Sequence, residues 1–324
     1  MQSLPNYSHK LLDDASGSAT LNFVTVVYAS ELDLLQLQAR SFDACMAEES
    51  LDRIHVIIND PDAETVTSQF HQKVLEHYGK FKDKVIVWQG DDLIAPHKAD
   101  AWRTHPRFGW YRQQVLKLTI ANKIPSDMYI TLDAKNHFFR DVASHNFVSA
   151  EGLPKTWRMT TKGPLRDYFI NSLNAFDLDI ENTGEPIMPS ITPYVLWTKI
   201  VRDMIQDIQK RHETDFTSFF LEKDKNVSEF HLYYAYFVSQ GLKPETIYAF
   251  SDSPLVALFR IYANAESEEI SVLKQTHNPS KFILGIHSSR IFDLHDAGRE
   301  HLISTWVRAG IFKNSEQAES FMSL

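Results

Sequence analysis

Short apolar runs alternate with helical patterns over residues 23–142, which predicts an α/β protein: a Rossmann-like, mainly parallel sheet flanked by helices, followed by a more mixed second half. Two observations carry this reading. Strand-like runs recur at 23–28, 53–58, 84–88 and 128–133, with stretches between them whose apolar residues fall three or four apart. The last three of these runs end in carboxylates or amides, at Asn59 and Asp60, at Asp91 and Asp92, and at Asp133. Gathered along one sheet edge, they would face the crevice where open α/β sheets bind ligands. Such residues commonly cap helices or make turns, and that alternative holds at any single position. Three successive strands ending alike argue against it for the set.

Each element has its own local reason. After the first run, Leu35, Ala39, Phe42 and Met46 line one side of a helix. The second run stops at Asn59-Asp60-Pro61, and Val66, Phe70, Val74 and Tyr78 then share a helical face. The third stops at Gly90-Asp91-Asp92; a helix over about 110–123 carries Val115, Leu118 and Ile120 until Pro125. The fourth leads from Tyr129, Ile130 and Leu132 into Asp133, Lys135, Asn136 and His137, polar groups that could not enter a core without large desolvation costs.

In the second half, 191–208 reads as one helix with Thr192 as N-cap, Pro193 in the first turn, and Leu196, Ile200, Met204 and Ile208 inward. The stretch 227–237 reads as a helix capped by Ser228, with Glu229 and His231 in its first turn and Gly241 as its stop. A strand over 281–286 breaks off at His287-Ser-Ser-Arg290, and the residues after Gly298 form a closing helix and tail.

Composition narrows the function classes. With 324 residues, 43% hydrophobic and 23% charged, the chain can build one large domain or two fused ones. A net charge of −9 leaves no electrostatic footprint for nucleic acid. Cys45 is the single cysteine, which excludes an intrachain disulfide and a cysteine-rich zinc site and fits a reducing compartment. No secretory pattern and no run of roughly 20 apolar residues is present, so the expectation is a cytoplasmic protein, at most peripheral at the inner face of a membrane. An NAD-dependent dehydrogenase is a poor reading, because no Gly-x-Gly-x-x-Gly follows the first strand.

The strand ending in Asp133, the preceding Gly109-Trp-Tyr-Arg-Gln-Gln-Val-Leu-Lys117-Leu helix, the Ser228-Glu-Phe-His-Leu-Tyr helix start and the late strand ending in His287 together resemble GT-A-fold glycosyltransferases. More narrowly, they resemble a bacterial group associated with surface-polysaccharide synthesis. The resemblance spans about residues 23–290 and implies a polar tail at 1–22, a nucleotide-binding half at 23–142, an acceptor-side half at 143–297 and a helical tail at 298–324. It implies transfer of a sugar from a nucleotide-sugar donor to a glycan or lipid-linked glycan, as in capsule or lipopolysaccharide synthesis.

The resemblance also assigns residues. In GT-A enzymes an Asp-x-Asp after the fourth strand holds the donor ribose and a divalent cation, Mn or Mg, that neutralises the leaving diphosphate. Asp133 matches the first aspartate, Lys135 replaces the second, and His287 matches a late ligand of the metal or diphosphate. Two readings stay open: Asp133 and His287 hold a cation with Asn136 offering a neutral oxygen, or Lys135 neutralises the diphosphate itself. Tyr28, Ala29 and Ser30 match the loop after the first strand, and Asn59 and Asp60 match the nucleobase contact. Arg112, Gln113 and Lys117 match the helix that leans over the donor, with a solvated surface lysine as the alternative for Lys117. Arg290 pairs with a phosphate or with a surface carboxylate. Glu229 is the candidate general base, against the alternative that it compensates its helix dipole. Trp102, Trp110, Trp157 and Trp197 are candidates for stacking on sugar rings. The competing function is a non-catalytic nucleotide- or glycan-binding GT-A relic, whose missing second aspartate reports lost activity.

Overall fold

The computed structural model describes residues 20–94, 108–161, 163, 165–221, 225–259 and 265–323; residues 1–19 of the expected tail and Trp102 lie outside them. Five strands form the central sheet: β1 (Leu21–Val27), β2 (Leu51–Ile58), β3 (Val85–Gln89), β4 (Met128–Asp133) and β7 (Tyr194–Trp197). Their order is β3-β2-β1-β4-β7, with the first four parallel and β7 antiparallel to β4. Helices α1 (Leu32–Cys45), α2 (Ala63–Lys73) and α3 (Phe108–Thr119) connect the parallel strands.

Both sheet faces are covered, and the strands show it residue by residue. Phe23 and Val27 of β1 point into one apolar core with Phe42 of α1, whereas Val24 and Val26 point into a second core with Val115 of α3. That alternation within an uninterrupted apolar strand is what burial on two sides requires. The second core is completed by α4 (Leu165–Asn174), α5 (Thr198–His212) and α6 (Glu229–Ser239).

A second sheet of three strands joins the two halves of the chain. Its strands are β5 (Asn136–Phe138), β9 (Leu255–Leu258) and β10 (Ile283–Ile286); β10 runs antiparallel to β5 and parallel to β9. A further parallel pair is made by β6 (Lys155–Thr156) and β8 (Ala249–Phe250). After α7 (Glu266–Leu273), helices α8 (Asp296–Arg308) and α9 (Ser315–Phe321) bring Leu302, Trp306 and Phe321 into the first core.

Three local readings of the sequence need correction. Residues 191–208 are not one helix: Tyr194–Trp197 is β7, and α5 begins only at Thr198. Leu196 satisfied helical spacing with Ile200, Met204 and Ile208, yet a short run buried on both sides carries no periodicity that separates strand from helix, and β4 needed a neighbour on that edge. The helix through Tyr78 stops at Lys73 and continues as tighter 3-10 turns bent at Gly79, whose φ of 49° favours glycine. The helix after Gly109 ends at Thr119 and closes in a 3-10 turn, Ile120–Asn122.

Candidate functional site

The strand order itself marks a position for a site. From β1 the sheet grows outward through β2 and β3 on one side, then returns to place β4 on the other. Between the carboxyl ends of β1 and β4 the connections diverge, opening the crevice where doubly wound sheets bind ligands. The β1–β4 register pairs Val26 with Asp133, so Tyr28, Glu31 and Asp133 all project at that point.

Asp133 is held by a stapled turn. Its backbone N–H donates to Asn136 Oδ1 at 2.8 Å, and Thr192 Oγ1 donates to the same oxygen at 2.7 Å. Gln38, from α1, donates to the carbonyls of Asp133 and Asn136 at 2.9 and 2.8 Å. Asn136 is thus buried and its amide oxygen already accepts two hydrogen bonds, so it serves the turn and not a ligand as expected. Gly285 of β10 packs over it; a Cβ there would lie 2.9 Å from Asn136 Nδ2.

The carboxylate of Asp133 sits between two ammonium groups. Lys117 Nζ is 2.7 Å from Oδ1 and Lys135 Nζ is 2.5 Å from Oδ2. Lys117 also reaches Glu229 Oε1 at 3.3 Å and lies over the Phe230 ring. It is only 3% exposed, which removes the reading of a solvated surface lysine. Burial works against the charges of all three groups, with different results. For Asp133 burial favours the neutral acid, but Lys117 and Lys135 outweigh it and hold the carboxyl well below the usual range. For Lys117 burial opposes the charge, yet Asp133 and Glu229 together raise its pKa above the ordinary lysine value. For Glu229 burial prevails over Lys117, and the carboxyl is raised. Glu31 is raised likewise by burial and by the nearby charge of Asp133.

Glu229 begins α6, where an anion is favoured by the helix dipole. Ser228 is the cap by position only, since its hydroxyl pairs with His231 Nδ1 at 2.9 Å. The N–H of Glu229 is instead satisfied by Gln114 Oε1 of α3 at 3.0 Å. His231 is buried, with its ring on the Thr161 and Ser228 hydroxyls and against Phe169.

The remaining expected residues divide into rim and scaffold. Asn59 is fully buried and donates to the Tyr28 hydroxyl at 2.6 Å; burial, with the Glu31 charge, raises the Tyr28 phenol's pKa. Asp60 accepts from the N–H of Ala29 at 3.2 Å, and Ala29 and Ser30 are exposed. Gly109 closes this corner, because a Cβ would lie 2.5 Å from the Tyr28 hydroxyl. Gly109→Ala is expected to push that hydroxyl off Asn59 and to lower stability by about 1–3 kcal/mol, read as a lower urea midpoint.

Arg112 is buried and ion-paired with Asp91. Gln113 is half-buried; its neighbour Gln114 is the one that meets Glu229. Among the tryptophans, Trp197 is core and Trp157 nearly so, whereas Trp110 is exposed against Tyr168.

His287 and Arg290 are engaged elsewhere. His287 Nδ1 accepts the Ser289 N–H at 3.2 Å and caps its own helical turn. Arg290 pairs at 3.0 Å with Glu269, a carboxylate with no exposed surface. Among the described residues, no group of three or more His, Cys, Asp or Glu side chains is placed to hold a metal ion. The donors at Asp133 do not fit a divalent cation either, since each carboxylate oxygen faces an ammonium nitrogen, one of them from Lys135, where the resemblance places a second aspartate.

Sequence reasoning missed Glu31, Gln38 and Gln114. Gln114 carried a signal, for it lies three residues before Lys117 on the same helical face. Glu31 and Gln38 had none, because only the tertiary fold brings them to Asp133.

Residues 19–267 match a family described as a family of unknown function, DUF6492. The chain belongs to this family. The DUF6492 segment contains β1 to β9, Asp133 and Glu229, but not β10 or the last two helices. No curated protein matches the sequence. Solved structures similar to this DUF6492 chain include the galactosyltransferase LgtC, described in complex with donor and acceptor sugar analogues, at 10% identity with 94% of this chain and 95% of that one covered and a TM-score of 0.46. They also include the glycosyltransferase GlyE of Streptococcus pneumoniae TIGR4, at 12% identity, 94% and 62% coverage and a TM-score of 0.43. A third is mouse xyloside xylosyltransferase 1, at 12% identity, 84% and 99% coverage and a TM-score of 0.38. Among the described residues of this member, no helix is long and apolar enough to cross a membrane.

Proposed function

We propose that the chain is a GT-A-type glycosyltransferase that moves a sugar from a nucleotide-sugar donor to a glycan or lipid-linked glycan, the acceptor class that the sequence resemblance suggests for bacterial surface polysaccharide. The observation that carries this reading is the meeting of Asp133, Lys117 and Glu229 at the switch point between β1 and β4. Three elements distant in sequence deliver two carboxylates and a buried cation to the one edge where such sheets bind ligands. A purely structural ion pair would not need that address.

In this reading Tyr28, Ala29, Ser30, Asn59 and Asp60 form the nucleotide side, with Arg112 and Gln113 bordering it. Glu229 accepts the proton of the acceptor hydroxyl; the acceptor oxygen bonds to the sugar's C1 while the C1–O bond to the diphosphate breaks and its electron pair leaves on phosphate. Lys117 keeps Asp133 and Glu229 in one frame. Arg290, tied to Glu269, and His287, tied to its own turn, take no part.

The test is nucleotide binding. Nucleoside diphosphates are expected to raise the melting temperature of the protein, and Asp133→Ala to abolish the rise. No shift with any uridine, guanosine, adenosine, cytidine or thymidine diphosphate sinks the assignment. The pairing of both Asp133 oxygens with lysines also favours a second reading, a binding module without turnover. That reading requires nucleotide binding with no sugar transfer and no donor hydrolysis.

A further inference from the structure

We infer that Lys135 is the mobile counter-ion of the leaving diphosphate and does the work of a divalent cation, an inference that rests on the sugar-transfer reading above. Asp133 carries two ammonium partners on two different oxygens, and they are not equivalent. The Lys117 side chain is 4% exposed, shared with Glu229 and seated over Phe230, so it is fixed on three sides. The Lys135 side chain is 24% exposed, and Asp133 is its one ion-pair partner among the described residues.

The backbone of Lys135 is held on several sides, while its side chain is tied only through the ion pair to Asp133 among the described residues. The residue lies in the turn between β4 and β5 that Asn136 and Gln38 staple, and its carbonyl accepts the Ile286 N–H of β10 at 3.4 Å. His137, two residues on, is hydrogen bonded to the Lys135 backbone and accepts the Trp306 indole N–H at Nε2, 2.9 Å away. A four-carbon stem on an anchored backbone can carry its charge several ångströms without moving the turn.

The second lysine then has a physical purpose. When an anion enters, Lys135 exchanges Asp133 Oδ2 for a phosphate oxygen, one ion pair for another. Lys117 stays on Oδ1, so the carboxylate is never left buried and unpaired, a state that would cost several kcal/mol. As the C1–O bond breaks, negative charge grows on the diphosphate, and a nearby ammonium stabilises it as it forms. A cation held by oxygen ligands has no place at Asp133 while two ammonium groups occupy its oxygens.

The experiment is calorimetric titration of the full chain with uridine diphosphate and guanosine diphosphate, in EDTA and in Mn²⁺. Binding is expected to be undiminished in EDTA. Lys135→Ala is expected to weaken it at least ten-fold there, and Lys135→Arg to keep it within a few-fold. Because Lys117 still pairs Asp133, the nucleotide-free melting temperature of Lys135→Ala should match that of the wild type, which separates lost binding from lost fold. Binding that needs Mn²⁺, or that is equal in wild type and Lys135→Ala, overturns this inference and leaves sugar transfer standing. Absence of binding by any nucleoside diphosphate overturns both.

Discussion

Lys117→Met is expected to lower the unfolding free energy by about 3 kcal/mol at neutral pH, the scale of removing one partner from a buried ion cluster. Methionine keeps the volume and the contact with Phe230 but leaves Glu229 without a cation and Asp133 with only Lys135. The deficit should grow with pH. Burial raises the Glu229 pKa in the fold, so its favourable contribution is fully present below the ordinary glutamate value and lost as pH rises through the folded value. Removing Lys117 moves that loss to a larger share of the variant's stability. Asp133 acts with the opposite sign: its folded pKa is depressed, so its support is present above the ordinary aspartate value and lost only in acid. Urea unfolding at pH 5 and pH 8 measures the Glu229 effect, and a further curve below the ordinary aspartate value measures that of Asp133. Adding Glu229→Gln to Lys117→Met should recover most of the stability at pH 8. Equal midpoints for Lys117→Met and the wild type at both pH values would show that the cluster holds nothing together.

Glu229→Gln should separate chemistry from stability. In the proposed sugar transfer Glu229 is the general base, a role worth about 10²–10⁴ in rate, so turnover should fall by that factor while nucleotide binding changes little. The amide is isosteric and can still accept from Lys117, and it removes an ionisation that burial opposes. Stability at pH 8 is therefore expected to stay within about 1 kcal/mol of wild type, or to rise. On that proposal wild-type turnover should climb with pH above the ordinary glutamate range, because the proposed base must be ionised and its pKa is raised. Assays of sugar transfer or donor hydrolysis across pH, beside melting curves, read both quantities. Unchanged turnover in Glu229→Gln would remove the base; a stability loss as large as that of Lys117→Met would make the residue structural.

The parallel half of the fold was legible because its physics is local. Apolar runs bounded by Asn59-Asp60, Gly90-Asp91 and Asp133 show where strands stop, and spacing of three or four shows the helices between. What was not legible depended on partners. Tyr194–Trp197 pairs with the open edge of β4; its Tyr, Val and Trp favour a strand, but the helical spacing of Leu196 with Ile200, Met204 and Ile208 hid that signal. The site divided the same way. Asp133 and Glu229 stood out by their position at element ends, and Lys117 could be named but not placed. Its burial follows from a packing of α3 against α6 that the sequence does not encode locally. His287 and Arg290 looked like site residues for the same reason as Asp133, since both follow a buried strand. Their own local partners, Ser289 and Glu269, hold them.

The contact between Trp306 and His137 sets a length for the working unit. Burial pushes the His137 pKa down to about 3, so the ring is neutral, and the indole N–H on Nε2 leaves the remaining hydrogen to Nδ1. A single tautomer is thereby locked between α8 and the turn that presents Lys135. The segment shared across the family stops at residue 267, well before Trp306. A fragment cut to the shared segment would retain Asp133, Lys135 and Glu229 in its sequence yet lose the outer brace of the turn that carries two of them. The end of the family match and the end of the mechanical support do not coincide in this protein.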